Sequence, residues 1–103
     1  MPKHKNIFTI VGQTEDNKPV ISGILRFKES YGLPLEDIFE KVTLDGFVIS
    51  WYHLIDEAIV MGVNKSKFSN ELHTAILDIF GKEYLDKIWD KIEERLNAKD
   101  KEN

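Results

Sequence analysis

His53 and Glu57 are the two residues of this sequence whose types and spacing come closest to metal-binding or acid–base chemistry. They stand four positions apart in a segment with helical periodicity, so an imidazole and a carboxylate would share one helix face, as zinc ligands often do. Asp56, His73 and Asp78 are further ligand types, but nothing in the sequence brings them to this pair. Two ligands do not hold a metal, and we predict no metal site and no cofactor.

Short catalytic and phosphate-binding motifs are absent from the sequence. It contains no G-x-x-x-x-G-K-[ST], no G-x-S-x-G, no H-E-x-x-H and no G-x-G-x-x-G. It also contains no cysteine, which excludes disulfides, thiolate metal ligands and a cysteine nucleophile. We therefore predict a non-enzymatic protein without catalytic residues.

Residues 54–73, LIDEAIVMGVNKSKFSNELH, indicate a helix, a tight turn and a second helix. Ala58 is small where a second helix would cross the first, and Gly62 tolerates a positive φ in the turn. Val63 and Phe68 supply the apolar anchors that follow. This pattern, A-x3-G-V-x4-F, resembles the turn region of phage-repressor-type helix-turn-helix proteins, from which it departs at Glu57 and Glu71, where apolar residues are usual.

The helix-turn-helix resemblance implies that the second helix would be a DNA recognition helix. Its lysines would contact phosphates, and Asn70 would reach a base edge. The predicted nucleic-acid-binding residues are Asn64, Lys65, Ser66, Lys67 and Asn70. A DNA-binding transcriptional regulator is therefore the alternative function. Against it, DNA affinity needs several neutralised phosphates, and the only second basic patch is Lys3 with Lys5.

The middle of the chain is acidic. Residues 29–61 carry one lysine and seven acidic residues, a net charge of −6, against −4 for the whole chain. Such a segment attracts a basic surface, and exposed aromatic residues often anchor protein interfaces. The leading prediction is an interaction or regulatory protein, such as an inhibitor, that binds a protein partner through Tyr31, Glu36, Asp37, Glu40, Phe47, Tyr52 and Asp56. A solvated helix face with aromatics at the core edge would show the same pattern.

Length and composition predict one domain over residues 1–103, with residues 1–5 and 98–103 flexible. A hydrophobic content of 42% is sufficient for a core, and a homodimer contact would add the buried surface that a short chain lacks. The apolar run NIFTIVG is too short for a signal sequence or a membrane span. We expect no membrane partner and a cytoplasmic location.

The pattern of apolar and turn residues predicts an α+β fold, with an N-terminal antiparallel β-hairpin packed on a small bundle of about four helices. These elements would position the residues named above. The hairpin strands are 6–12 and 19–28, with a bulge or close packing at Gly23. Helices follow from Pro34 to the Asp45–Gly46 turn, from the Ser50 cap to about Met61, from the Asn64 or Ser66 cap to Phe80, and over about 83–97; Phe47–Ile49 is an apolar stretch between the first two. A free hairpin edge would also suit an assembly protein that adds a strand to a partner sheet.

The chain as a whole resembles the small accessory proteins that bacteriophages encode. The shared features are short length, acidity, absence of cysteine, a composition rich in Lys, Ile, Glu and Asp, and absence of catalytic motifs. The resemblance implies a protein that binds a host or phage protein inside an infected bacterium and changes its activity.

Overall fold

The structure, a computed structural model, describes residues 8–101 and has the expected α+β architecture. Its elements are β1 (Thr9–Gln13), β2 (Pro19–Ser22), α1 (Ile24–Tyr31), α2 (Leu35–Leu44), β3 (Val48–Ile49), α3 (Trp51–Met61), α4 (Lys65–Phe80) and α5 (Lys82–Lys101). The described chain thus has five helices where about four were predicted. The flexibility predicted for residues 1–5 and for the last two residues lies outside the described range.

The sheet has three strands in the order β1-β2-β3. The predicted hairpin is confirmed, because β1 and β2 are antiparallel neighbours. The apolar stretch before Ser50 adds a strand that was not predicted: β3 runs parallel to β2, with Val20 opposite Val48 and Ile21 opposite Ile49. A parallel pair needs a long crossover connection, and α1 and α2 supply it here.

The prediction of one long strand over 19–28 was wrong. The strand ends at Ser22, and Gly23, with φ 96°, leads directly into α1 rather than forming a bulge. On a helix, Ile24 and Phe27 lie on one face with Leu25 beside it, and all three are buried. The run of apolar residues that suggested a strand therefore packs as a helix once the backbone has turned at Gly23.

The helix boundaries around α3 and α4 are confirmed. Ser50 caps α3 by accepting a hydrogen bond from the His53 amide, and Asn64 caps α4 by accepting one from the Lys67 amide at 3.0 Å. Between the two helices Gly62 adopts φ 72°, and the Val63 amide donates to the Ala58 carbonyl. The last helix extends to Lys101, so the residues up to 101 of the predicted flexible tail are helical.

An aromatic cluster connects four of the helices. Phe39 of α2 is fully buried and meets Trp51 of α3 edge-on, with ring centroids 5.5 Å apart. Phe80 contacts both rings, and the Trp51 indole Nε1 donates to the Tyr84 hydroxyl at 3.0 Å. Pairs of this kind add to the burial of apolar area, and they join α2, α3, α4 and α5 into one core.

The five helices pack in specific pairs. α2 lies on α4, α1 lies on α3, and α5 lies on both α3 and α4. None of the helices in residues 8–101 combines the length and the apolar character that a bilayer crossing needs.

Two glutamates cap helices to which they do not belong. Glu57 of α3 accepts a hydrogen bond from the Leu25 amide in the first turn of α1, and Glu71 of α4 accepts one from the Leu35 amide at the start of α2, both at 3.3 Å. These are the residues at which the sequence departs from the helix-turn-helix pattern. Their carboxylates satisfy helix N-terminal donors that have no partner within their own helices.

Replacing Gly62 by alanine is expected to lower the free energy of unfolding by about 1–2 kcal/mol, because an L-residue is strained in the left-handed region. A Cβ at Gly62 would meet no atom within 4 Å, so the backbone alone sets this cost. Urea-induced unfolding measures it. Gly12→Ala is the matched control, since Gly12 is equally open but has no positive φ, and it should change stability little. Equal effects of the two substitutions would contradict the left-handed backbone at Gly62 as the cause of the loss.

Candidate functional site

An exposed acidic surface lies on α2. Ile38, Phe39 and Val42 face the core, so the helical repeat turns the acidic residues toward solvent. Glu36 and Asp37 stand in the first turn, where negative charge interacts favourably with the helix dipole. The exposed carboxylates Glu36, Asp37 and Glu40 of α2, together with Asp78 of α4, are called the α2 acidic face here.

Asp78 joins this face because α2 packs on α4. Its charge, acting beside Glu36, raises the pKa of the Glu36 carboxyl, and burial and the charges of Asp37 and Glu40 act in the same direction. No Lys or Arg of the described residues forms an ion pair with the three acids of α2. Like charges are therefore gathered on this face without a compensating cation.

A large apolar side chain extends the same face. Leu44, in the last turn of α2, follows Glu40 by four positions and Asp37 by seven, so the helical repeat places it on their side of the helix. Its side chain is 80% exposed. The sequence-based contact set did not include it, although the helical repeat alone already separates it from the buried residues.

Two further predicted contact residues, Tyr52 and Asp56 of α3, are held by α5. Arg95 donates to both carboxylate oxygens of Asp56, at 2.9 and 3.2 Å, and its guanidinium lies 4.8 Å from the centre of the Tyr52 ring. The Asp56 hydrogen bond raises the pKa of Arg95. The charge of Asp56 is thus matched within the chain, whereas the Tyr52 ring stays about half exposed.

The two remaining predicted aromatic contacts differ in exposure. Tyr31, at the end of α1, is 52% exposed and lies on Phe27, with ring centroids 4.8 Å apart. Phe47 is half-buried and packs against the core beside Phe8. Tyr31 therefore has an exposed ring, and Phe47 mainly closes the core edge.

The His53–Glu57 pair has other partners. The His53 Nδ1 lies 2.6 Å from the Ser50 hydroxyl, and Glu57 accepts from the Leu25 amide and pairs with Arg26 at 3.9 Å. Burial raises the pKa of Glu57, against the opposing effects of the Leu25 amide and Arg26. Within residues 8–97 no three His, Asp or Glu side chains are grouped so that they could hold a metal ion.

The predicted nucleic-acid-binding residues lie at the start of α4. Lys65, Ser66 and Asn70 line a groove of about 240 Å³ between α4 and α5, with Trp89 and Glu93 on its other wall. The Lys65 ammonium donates to the Leu96 carbonyl at 3.4 Å, and the Asn64 side chain is used as the α4 cap. Lys67 and Asn70 are exposed. The turn geometry is therefore as predicted, but one of the two lysines is engaged by α5 and an acid shares the groove.

Comparison with known proteins adds no family to these observations. No family model, no curated protein and no solved structure matches the chain.

Asp78→Asn is expected to stabilise the isolated protein near neutral pH, because it removes the negative charge that does most to raise the pKa of Glu36. Since the Glu36 pKa is raised in the folded state, the wild type loses stability as the pH rises through that pKa. The stability gained by Asp78→Asn should therefore vanish once the pH is low enough to protonate Glu36. The gain should also shrink with added salt. Thermal unfolding at several pH values measures it.

Asp45→Asn is the matched control for this prediction. Asp45 is another exposed aspartate at a helix end, but it pairs with Lys41 at 3.3 Å, so its replacement should bring no gain. A loss of stability in Asp78→Asn at neutral pH would contradict the repulsion between Asp78 and Glu36.

Proposed function

We propose that this protein is a non-enzymatic interaction module that regulates a protein partner by docking on a basic surface through the α2 acidic face. The uncompensated charge of that face is the observation that carries the proposal. Three other acids of the middle segment have partners: Asp45 pairs with Lys41, Asp56 with Arg95 and Glu57 with Arg26, whereas the single Glu29 on α1 has no ion pair among the described residues. Glu36, Asp37 and Glu40 have none among the described residues.

Clustered like charges cost stability in the free protein. The cost appears in the raised pKa of Glu36 beside Asp78. A partner surface carrying Lys or Arg would relieve this repulsion and, through long-range attraction, would speed association. Binding to a basic partner would thus stabilise the α2 acidic face more than it would stabilise a helix on which both signs of charge are mixed.

The exposed Leu44 defines the partner further. A charged face alone gives fast but weak association, and interface energy is concentrated in a few buried side chains. The expected partner therefore combines basic side chains with an apolar recess that receives the Leu44 side chain at the end of α2. Tyr52 and Asp56, which are held against α5, are not required for this contact.

DNA recognition by α4 remains the alternative proposal. The glycine turn and the Asn64 cap support it, since the first helix ends and the second begins at the positions that the sequence pattern expects. The electrostatics oppose it, because Lys65 is bonded to α5 and Glu93 lies in the same groove. Phosphate binding requires several available cations, and this part of α4 retains chiefly Lys67.

A selection from a random peptide library with the immobilised wild-type protein tests the proposal. We expect enriched peptides that contain Lys and Arg together with an apolar residue, and we expect their affinity to fall as salt is added. Reversing the charge of α2 by Glu36→Lys, Asp37→Lys and Glu40→Lys should abolish binding of these peptides. Isothermal titration calorimetry with a synthetic selected peptide would measure the loss.

The matched control reverses three acids on α5, through Glu83→Lys, Asp86→Lys and Asp90→Lys. These residues are also exposed on a helix, and the change in net charge is the same. Peptide binding should survive in this variant, apart from a uniform electrostatic reduction. Equal loss in both variants would contradict a site on α2. Retention of duplex DNA that is lost only in Lys65→Glu with Lys67→Glu would replace the proposal by DNA recognition.

A further inference from the structure

A pocket of about 510 Å³ lies between α1 and α3, where β2 ends. Its lining comes from Ser22 of β2, from Arg26 of α1 and from one side of α3. The lining surface is mostly apolar, and Val60 and Met61, at 85% and 43% exposure, supply its exposed hydrophobic side chains. A pocket of this size accommodates a small organic molecule, and it is called the α1–α3 pocket here.

One carboxylate of the α1–α3 pocket is largely withdrawn from solvent. The Glu57 side chain is 20% exposed, and it accepts a hydrogen bond from the Leu25 amide at 3.3 Å. Its ion pair with Arg26 is long, at 3.9 Å, and the Arg26 side chain is 71% exposed. An ion pair with so exposed a guanidinium contributes little. Glu57 therefore holds a partly desolvated charge that the fold compensates weakly.

The titration of Glu57 supports the same conclusion. Burial raises the pKa of Glu57 by more than the Leu25 amide and Arg26 lower it. A carboxylate in that state is stabilised when a positive charge comes close. Asp56 also lines the pocket, but Arg95 donates to both of its oxygens, so its charge is already matched. Glu57 is thus the carboxylate of this pocket that a bound cation would stabilise most.

We propose that the α1–α3 pocket binds a small organic ammonium ion, which donates hydrogen bonds to the Glu57 carboxylate and packs its apolar body on Val60 and Met61. An anion is disfavoured, because it would have to enter beside that carboxylate. A cation displaces Arg26 at small cost, since the exposed guanidinium remains hydrated. The inference does not depend on the α2 acidic face, none of whose residues lines this pocket.

The two parts of the α1–α3 pocket set two requirements on the ligand. The carboxylate requires a positive charge with at least one N–H donor, and the wall of Val60 and Met61 requires hydrocarbon. Burial of hydrocarbon supplies the non-directional part of the affinity, and the flexible Met61 thioether adapts to different shapes. An alkylammonium ion meets both requirements, whereas an inorganic cation meets only the first.

Titration of the wild type with hexylammonium chloride, followed by NMR of the Val60 and Met61 methyl groups, tests the inference. We expect saturable shifts with a dissociation constant of about 1 mM or below, which is attainable for a ligand of this size. 1-Hexanol and hexanoate are the matched ligands. Each should bind at least about tenfold more weakly, since neither supplies a charge-assisted hydrogen bond to a carboxylate.

Two substitutions with opposite expected effects test the role of Glu57. Glu57→Gln should weaken hexylammonium binding at least about tenfold, and the glutamine keeps an oxygen that accepts from the Leu25 amide. Arg26→Gln should strengthen binding up to about fivefold, because it removes the competing cation. Glu71→Gln is the matched control: Glu71 caps α2 in the same way from outside this pocket, so its replacement should leave the shifts unchanged.

Val60→Lys tests the same site without touching the α1 cap. Val60 is 85% exposed, so its replacement leaves the core intact, and circular dichroism should show an unchanged fold. The added ammonium group at the wall of the pocket should repel hexylammonium and reduce its affinity. This variant decides the matter if Glu57→Gln does not fold.

Three results would overturn the inference. Equal affinity for hexylammonium, 1-hexanol and hexanoate would show that charge is not recognised. Weaker hexylammonium binding in Arg26→Gln would show that Arg26 does not compete with the ligand for Glu57. Unchanged Val60 and Met61 signals up to about 10 mM hexylammonium would show that the α1–α3 pocket does not take this class of ligand.

Discussion

The hydrogen bonds from the first turns of α1 and α2 to glutamates of later helices tie the starts of these two helices to α3 and α4. Neither helix has a side-chain cap of its own: α1 begins after Gly23 and α2 after Pro34. Their free amides are satisfied by Glu57 and Glu71. Arg26 also forms an ion pair with Glu57 at 3.9 Å, and Lys28 forms one with Glu71 at 3.7 Å. The N-terminal helices are thus fixed to the C-terminal ones by polar contacts that the apolar core alone would not orient.

The same contacts decide which acids remain available on the surface. An acid that caps a helix or pairs with an arginine, as Glu57 and Asp56 do, has its charge matched inside the fold. Glu71 fixes the start of α2 on α4, and this docking sets Glu36 beside Asp78. The unmatched charge of α2 is therefore a consequence of how the helix is anchored. A segment charge of −6 overstates what a partner would meet.

The sequence predicted the elements whose signals are local and missed those that depend on distant residues. The ends of α3 and α4 followed from Ser50, Gly62 and Asn64, each of which acts within a few residues. The start of α1 could not be predicted from nearby residues, because its cap is the distant Glu57 and its apolar run also fits a strand. β3 has only two residues, too few for a periodic pattern. Helical periodicity separated Glu36, Asp37 and Glu40 from the core, but the proximity of Asp78 arises only from packing.

The parallel pairing of β2 with β3 has a consequence for the order of folding. β1 and β2 are joined by a short turn and can pair locally, as can each helix with its caps. β3 reaches β2 only after the intervening chain has formed α1 and α2 and folded back over the sheet. That closure fixes a long loop before its contacts compensate for the lost entropy. We expect the rate-limiting barrier to lie there, with the hairpin formed earlier and the strand β3 added late.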